Sequence, residues 1–296
     1  MNVDTPVKTI STWRRETTAR LVPVAGEHAA FESYRLLGHI CRCGPTELTL
    51  RAGDTLTPVQ EAELERFVLD RLTGRPLAYV LGHAYFAGLN LTCDERALIP
   101  RPETEELVEI ALRCLPPPGD NTRPIVIDIG TGSGNIALAV ANQRPDSIIL
   151  ATDTEWPALR LADENRKRLG MAGRVRLISG RSLSMFKPVR AVDIIVSNPP
   201  YIALGNPFVE KSVLDFEPHS ALFAGPTGLE IVTELLDAAI QILRPGGWFI
   251  SEIGYDHGDA VRELLASRPG WDAPTLHRDM SGIERVVSVR TLPTIR

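Results

Sequence analysis

Residues 125–140 read IVIDIGTGSGNIALAV, a strand, a glycine turn and a helix in immediate succession. Ile125, Val126 and Ile127 form a short β-branched run suited to a buried strand, and aliphatic residues resume at helical spacing from Ser133. Between them Gly130, Gly132 and Gly134 alternate with Thr131 and Ser133. Glycine at alternate positions lets the chain turn sharply and approach a ligand closely. It does so at the carboxyl end of a strand, where open α/β sheets bind nucleotides. The spacing GxGxG differs from the dinucleotide pattern GxGxxG.

Outward from this turn the chain alternates strand with helix. SIILATD precedes a helix reaching about 169, and VRLIS and DIIVS follow. A helix is expected over 229–243, then the strand GWFISEIG. Short β-branched runs separated by helical stretches predict a largely parallel sheet covered on both faces. The last two strands, near 271–277 and 283–289, are joined by RDMSG, too short for a parallel crossover, so an antiparallel final hairpin is expected. On the amino-terminal side, Trp13, Leu21, Leu36, Leu37, Ile40, Leu64, Phe67 and Leu72 are spaced as helical stripes. Thr57 before Pro58 marks a helix start. Leu89, Leu91 and Cys93 alternate with Asn90 and Thr92 as in a half-buried strand, and Pro100 and Pro102 close that segment. The expected division is a helical domain at 1–82, a β-hairpin linker at 83–100 and an α/β domain at 101–296.

The composition limits what such a protein does. The 296 residues are 44% hydrophobic and 23% charged, with 32 Lys plus Arg against 37 Asp plus Glu. The formal charge of −5 gives no overall basic field for phosphate backbones, so direct nucleic-acid binding is not expected. The start, MNVDTPVKTISTWRRE, lacks the apolar core of a signal peptide, and no apolar run reaches the roughly 18 residues of a membrane span. A cytoplasmic protein is expected, with no membrane partner. Four cysteines (Cys41, Cys43, Cys93 and Cys114) are too few for a disulfide scaffold, and Cys41-Arg42-Cys43 lacks zinc-knuckle spacing, so no metal is expected.

Two further signals carry chemistry. Asp153 ends SIILATD, where a carboxylate can accept hydrogen bonds from both hydroxyls of a ribose; the other reading is a helix cap. With the glycine turn it implies an adenosine-containing cofactor. Ser197-Asn198-Pro199-Pro200-Tyr201 follows the strand DIIV directly. Two prolines hold the chain extended, so that the Asn198 side-chain oxygen and the Pro199 carbonyl can converge on one point. Such a pair can grip a planar NH2 group by both N–H bonds and draw its nitrogen toward the tetrahedral geometry that a nucleophile needs. Tyr201 would pack on the flat substrate group. Glu217, in the turn Phe216-Glu217-Pro218, is expected to order the loop after this tetrapeptide.

The glycine turn with its preceding Asp128 resembles motif I of class I S-adenosylmethionine-dependent methyltransferases. Almost the whole chain resembles the HemK/PrmC family, protein glutamine N5-methyltransferases acting on the Gly-Gly-Gln loop of peptide-chain release factors. The resemblance runs through FESYRLLGHI, RPLAYVLGHAYFAGLNL, ALIPRPETEELVEIAL, DIGTGSGNIALAVA, ATDTEWPALRLADEN, VDIIVSNPPYI, DFEPHSALFAGPTGLEIV and RDMSGIERVV. It implies a class I fold: a Rossmann-like doubly wound α/β sheet with an antiparallel final strand, plus the small helical domain, which would help dock a release factor.

It also implies roles by position. Gly130, Thr131, Gly132, Ser133 and Gly134 would wrap the methionine part of S-adenosylmethionine, leaving S-adenosylhomocysteine as product. Asp153 would hold the ribose. Asn198, Pro199, Pro200 and Tyr201 would grip the glutamine, with Asn198 and Pro199 catalytic and Asn198 also against the cofactor. The segment 99–104 would lie beside the cofactor pocket. Arg181 stands where relatives carry an acid near the adenine, followed by Ser182, and both are expected at the cofactor. Two other substrates share the tetrapeptide: a glutamine of a ribosomal protein, and the exocyclic amine of adenine in nucleic acid. The latter lacks support from any recognition domain or basic stripe beyond the RKR at 166–168. A non-catalytic binding module is a third reading. A monomer is expected.

Overall fold

The computed structural model describes residues 8–119, 123–181, 183–188 and 190–293. They fall into two compact units, one of residues through Gly82 with Lys211–Phe216, the other of His83–Glu210 with Glu217–Arg296.

The first unit contains α1 (Ile10–Ala25), α2 (Ala29–Cys41), α3 (Pro45–Leu50), α4 (Pro58–Leu72) and α5 (Leu77–Leu81). Their apolar stripes meet in a core that includes Leu21, Leu36, Leu37, Leu64 and Val68, each at most 1% exposed. Thr57 starts α4 with a capping box: its hydroxyl accepts from Gln60 N–H at 3.3 Å while Gln60 Oε1 accepts from Thr57 N–H at 2.9 Å. Arg71 of α4 reaches Glu32 of α2 through two hydrogen bonds of 2.7 and 3.0 Å, and it also donates to the Val24 carbonyl. Both side chains of this pair are buried.

The second unit opens with a hairpin, β1 (His83–Phe86) and β2 (Leu89–Thr92). Its two turn residues, Ala87 and Gly88, have φ of 47° and 78°, the positive values that a two-residue hairpin turn requires. Ala87 tolerates this beside Glu105, whose Oε1 accepts its N–H at 3.0 Å. Then come α6 (Glu103–Cys114), β3 (Ile125–Ile129), α7 (Asn135–Gln143), β4 (Ile148–Asp153), α8 (Trp156–Arg168), β5 (Val175–Ser179) and β6 (Val192–Ser197). After them run β7 (Ile202–Ala203), α9 (Lys211–Phe216, which belongs to the first unit), β8 (Phe223–Gly225), α10 (Glu230–Ala239), β9 (Leu243–Glu252), α11 (Gly258–Ala266), β10 (Thr275–Arg278) and β11 (Glu284–Arg290).

Seven strands form one sheet in the order β10-β11-β9-β6-β3-β4-β5, parallel except for β11, which is antiparallel to both neighbours. Both faces are covered, as the near-continuous apolar strands predict. Val126, Ile194 and Val196 pack with Leu107, Ile110 and Ile136 of α6 and α7, while Ile127, Ile195 and Phe249 pack with Leu235, Leu236 and Val261 of α10 and α11. Alternate residues of each strand thus feed opposite layers.

Local boundaries differ from the pattern-based expectation where a pairing or turn consumes residues. The helix expected from Ser133 begins at Asn135, because the chain is still turning at Gly134, whose φ is 84°. The helix expected over 229–243 ends at Ala239, since Leu243 already pairs with Val192 of β6. Trp271 makes only an isolated bridge to Thr291, and β10 starts at Thr275. The β7–β8 pair and α9 carry no periodic signal in so few residues.

Candidate active site

The strand order reverses at β3, which has β4 on one side and β6 on the other, and a crevice opens beyond the carboxyl ends of strands at such a point. Here the crevice is a cavity of about 500 Å³, within the range of small-molecule sites. Gly130, Thr131, Gly132 and Ser133 line it from the end of β3, Asp153 from the end of β4, Arg181 from beyond β5, and Asn198, Pro199 and Pro200 from the end of β6. Four separate strand ends therefore bring most of the residues expected at the site to one wall. Ser182 lies outside the described residues. Gly134 and Tyr201 do not line the cavity. A side chain at Gly134 would press within 3.1 Å of Leu138 and 3.3 Å of Ala162, so glycine there allows α7 to pack.

The glycine turn is held from below. Thr131 N–H donates to the Thr152 carbonyl at 2.8 Å, and the Thr131 hydroxyl donates to Asp128 Oδ2 at 2.7 Å. Ala137 N–H donates to the same oxygen at 3.1 Å. Burial pushes the Asp128 carboxyl up to about 7, with the Thr131 and Ala137 bonds opposing the shift. Asp128 Oδ1 and the Ser133 hydroxyl are buried without a hydrogen-bond partner among the described residues. Asn165 ties the turn to the hairpin: it donates to the Ser133 carbonyl at 3.0 Å and accepts from Thr92 N–H at 2.7 Å.

Asp153 accepts from Gly132 N–H at 2.8 Å and from Glu155 N–H at 2.9 Å, one bond to each oxygen. Each oxygen keeps acceptor capacity for a further donor. Burial holds this carboxyl above the usual carboxylate range, against those N–H bonds.

Asn198 sits in a polar chain that the sequence alone does not reveal. Its Nδ2 donates to Thr104 Oγ1 at 3.1 Å, and the Thr104 hydroxyl donates to Glu252 Oε2 at 2.7 Å. The Tyr201 hydroxyl donates to Glu252 Oε1 at 3.0 Å. Burial raises the Glu252 carboxyl, with the Thr104 and Tyr201 bonds opposing, and burial followed by the Glu252 charge raises the Tyr201 phenol. Tyr201, expected against the substrate, is thus anchored by its hydroxyl behind the cavity wall.

Glu217, in the loop after Tyr201 that it is expected to order, reaches the segment ahead of α6. Its Oε2 accepts from Ile99 N–H at 3.1 Å and its Oε1 from Arg101 at 2.5 Å. Ile99, Pro100, Arg101 and Pro218 all line the cavity, so this carboxylate clamps two parts of its wall together. Glu252 and Asn165 are not among the residues expected at the site, and Thr104 enters the expectation only as the end of the segment 99–104 beside the cofactor pocket. The one sequence signal for Glu252 is an acid closing the apolar run GWFIS. Among the described residues no cluster of His, Cys, Asp and Glu is arranged to hold a metal ion, and no helix is long and apolar enough to cross a membrane.

A doubly wound sheet with one antiparallel strand and a glycine turn facing its switch point defines a methyltransferase fold. The same fold occurs in the catalytic domain of human Mettl16 solved with a 3′UTR hairpin, at 17% identity and TM-score 0.54, covering 80% of this chain and 85% of that one. The family described as Methyltransferase small domain matches residues 108–212, and that described as PrmC N-terminal domain matches residues 12–82. Sequence relatives narrow the class. The release factor glutamine methyltransferase of Neisseria gonorrhoeae is 39% identical, over 86% of this chain and 91% of that protein. The proteins of the same name from Salmonella typhimurium and Moorella thermoacetica are 38% and 36% identical, over 91% and 94% of their lengths. The chain belongs to the release factor glutamine methyltransferase family.

Proposed function

We propose that this protein transfers a methyl group from S-adenosylmethionine to the side-chain amide nitrogen of the glutamine in the GGQ motif of peptide-chain release factors. The observation that carries the reading is one cavity walled by both the glycine turn and Asn198-Pro199-Pro200. A nucleoside-bearing donor and a planar amide can meet only if their two binding elements share a chamber.

The residues present fit the donor. Gly130 and Gly132 line the cavity with φ of 71° and 55°, and a side chain at Gly130 would meet no atom within 4 Å. The unpartnered Ser133 hydroxyl beside them is an orphan that a bound polar group satisfies. Residues 130–133 would hold the methionine part, Asp153 the ribose, and Arg181 the region of the base. When bound, this group supplies an electrophilic methyl on a sulfonium centre.

The protein's own residues deal with the nucleophile. A glutamine amide is a poor nucleophile because its lone pair is delocalised into the carbonyl. Asn198 Oδ1 and the Pro199 carbonyl accept its two N–H bonds, orient the nitrogen and favour the pyramidal geometry of transfer. No dedicated base is required, since the proton leaves to water once methylation makes the nitrogen cationic. Domain roles follow: residues 1–82 dock the release factor, 83–100 join the domains, and 101–296 carry out transfer in the cytoplasm.

Incubating the protein with S-adenosylmethionine and a purified release factor, followed by peptide mass spectrometry, tests the reading. One added methyl on the GGQ glutamine is expected, with none on a factor whose glutamine is replaced. Asn198→Ala is expected to lower transfer by about 10²-fold or more. Full transfer by Asn198→Ala, or a methyl placed elsewhere, overturns it.

A further inference from the structure

We propose that Thr104 and Glu252 are positioning residues that set which end of the Asn198 amide faces the substrate, an inference resting on the reading above. The polarity of the chain follows from counting protons. Hydroxyl donors on both Glu252 oxygens, from Thr104 and Tyr201, favour its ionised form against the effect of burial; ionised, the carboxylate can only accept, and a threonine hydroxyl has one proton to give. At 2.7 Å from Glu252 Oε2, Thr104 spends that proton on the carboxylate. Its oxygen then meets Asn198 at 3.1 Å with a lone pair, and only the NH2 end of the amide can satisfy it. The oxygen end is left as the acceptor that an incoming NH2 group needs. Thr104 is 0% and Glu252 2% exposed, so water does not stand in for either partner.

The same carboxylate also fixes the far end of the tetrapeptide through the Tyr201 hydroxyl at 3.0 Å, with the stiff Pro199-Pro200 pair between. One buried group thus holds both ends of the segment that would grip the substrate. The arrangement also discriminates. Two acceptors hold an amide NH2 but repel a carboxylate, so a glutamate in place of the substrate glutamine is refused. A reversed Asn198 would present its own NH2 and lose that preference.

Thr104→Val, Thr104→Ser and Glu252→Gln test the relay, using the full-length protein and a purified release factor. Valine keeps the volume and removes the hydroxyl. Glutamine places a donor where the carboxylate accepts, freeing the Thr104 proton to turn toward Asn198. Thr104→Val is expected to lower kcat by about 10²-fold while S-adenosylmethionine binding by calorimetry changes by less than about threefold. Thr104→Ser, which restores the hydroxyl, is expected to recover most of that loss. Glu252→Gln is expected to behave like Thr104→Val; should it fail to fold, the two Thr104 variants decide alone. Wild-type kcat in Thr104→Val overturns the relay, as does a serine variant no better than valine. Parallel loss of kcat and cofactor binding overturns it too, by marking a general packing role. A wild-type protein that binds S-adenosylmethionine but leaves the GGQ glutamine unmethylated removes the underlying reading, and the relay with it.

Discussion

Replacing Glu217 by glutamine isolates the clamp across the cavity wall. The wild-type side chain is 1% exposed and serves two donors, Ile99 N–H at 3.1 Å and the Arg101 guanidinium at 2.5 Å. Glutamine is nearly isosteric but has a single acceptor oxygen, so one donor is left facing an NH2 group. Losing a charge-assisted hydrogen bond in a buried setting costs about 1.5–3 kcal/mol. Arg101 is 33% exposed and regains water when released, which holds the loss below the roughly 3–5 kcal/mol of a fully buried pair. A loss of about 2 kcal/mol lowers Tm by about 4–8 °C in a domain of this size. Differential scanning calorimetry of wild type, Glu217→Gln, Arg101→Met and the double variant measures both the loss and the coupling. Because Ile99, Arg101 and Pro218 line the cavity, S-adenosylmethionine binding is expected to weaken alongside. If the two single losses add fully in the double variant, the two residues do not act as a pair and the clamp argument is refuted.

Asp153→Asn removes the charged acceptor proposed for the ribose and is expected to weaken S-adenosylmethionine binding by about 10- to 100-fold, read by isothermal titration calorimetry. Asp128 gives a pH signature: its folded pKa of about 7 lies above that of the unfolded chain, so the native state binds the extra proton. Its contribution to stability is therefore greatest in acid and falls as pH rises through about 7. Unfolding of Asp128→Asn in denaturant at pH 5.5 to 8 should show a flatter profile than wild type; identical profiles refute the assignment. Arg71→Met leaves Glu32 buried without its partner and should cost about 3–5 kcal/mol in urea unfolding of the helical unit, with much of it recovered when Glu32 is also made apolar.

Much of this protein is written locally. The strand, glycine turn and helix of 125–140, the carboxylate ending β4 and the two prolines after β6 act within a few residues of themselves. A linear reading therefore finds them and predicts a doubly wound sheet. The Thr57 cap is legible for the same reason, since donor and acceptor lie three residues apart. Boundaries were less legible where a neighbouring strand set them, as at Leu243, whose pairing with Val192 ends the reach of α10.

Linear order supplies the chemical elements: a glycine turn, an acid, an amide followed by prolines, and strands to carry them. Tertiary structure alone decided how they are held. Thr104 and Glu252 are 148 residues apart, Asn198 and Thr104 are 94 apart, and Glu217 meets Arg101 across 116. No periodicity encodes such partners, because a hydrogen bond is selected by which chain segments the packed sheet brings together. The Asn198 side chain is present in the sequence; the direction of its amide exists only once Thr104 and Glu252 are buried behind it.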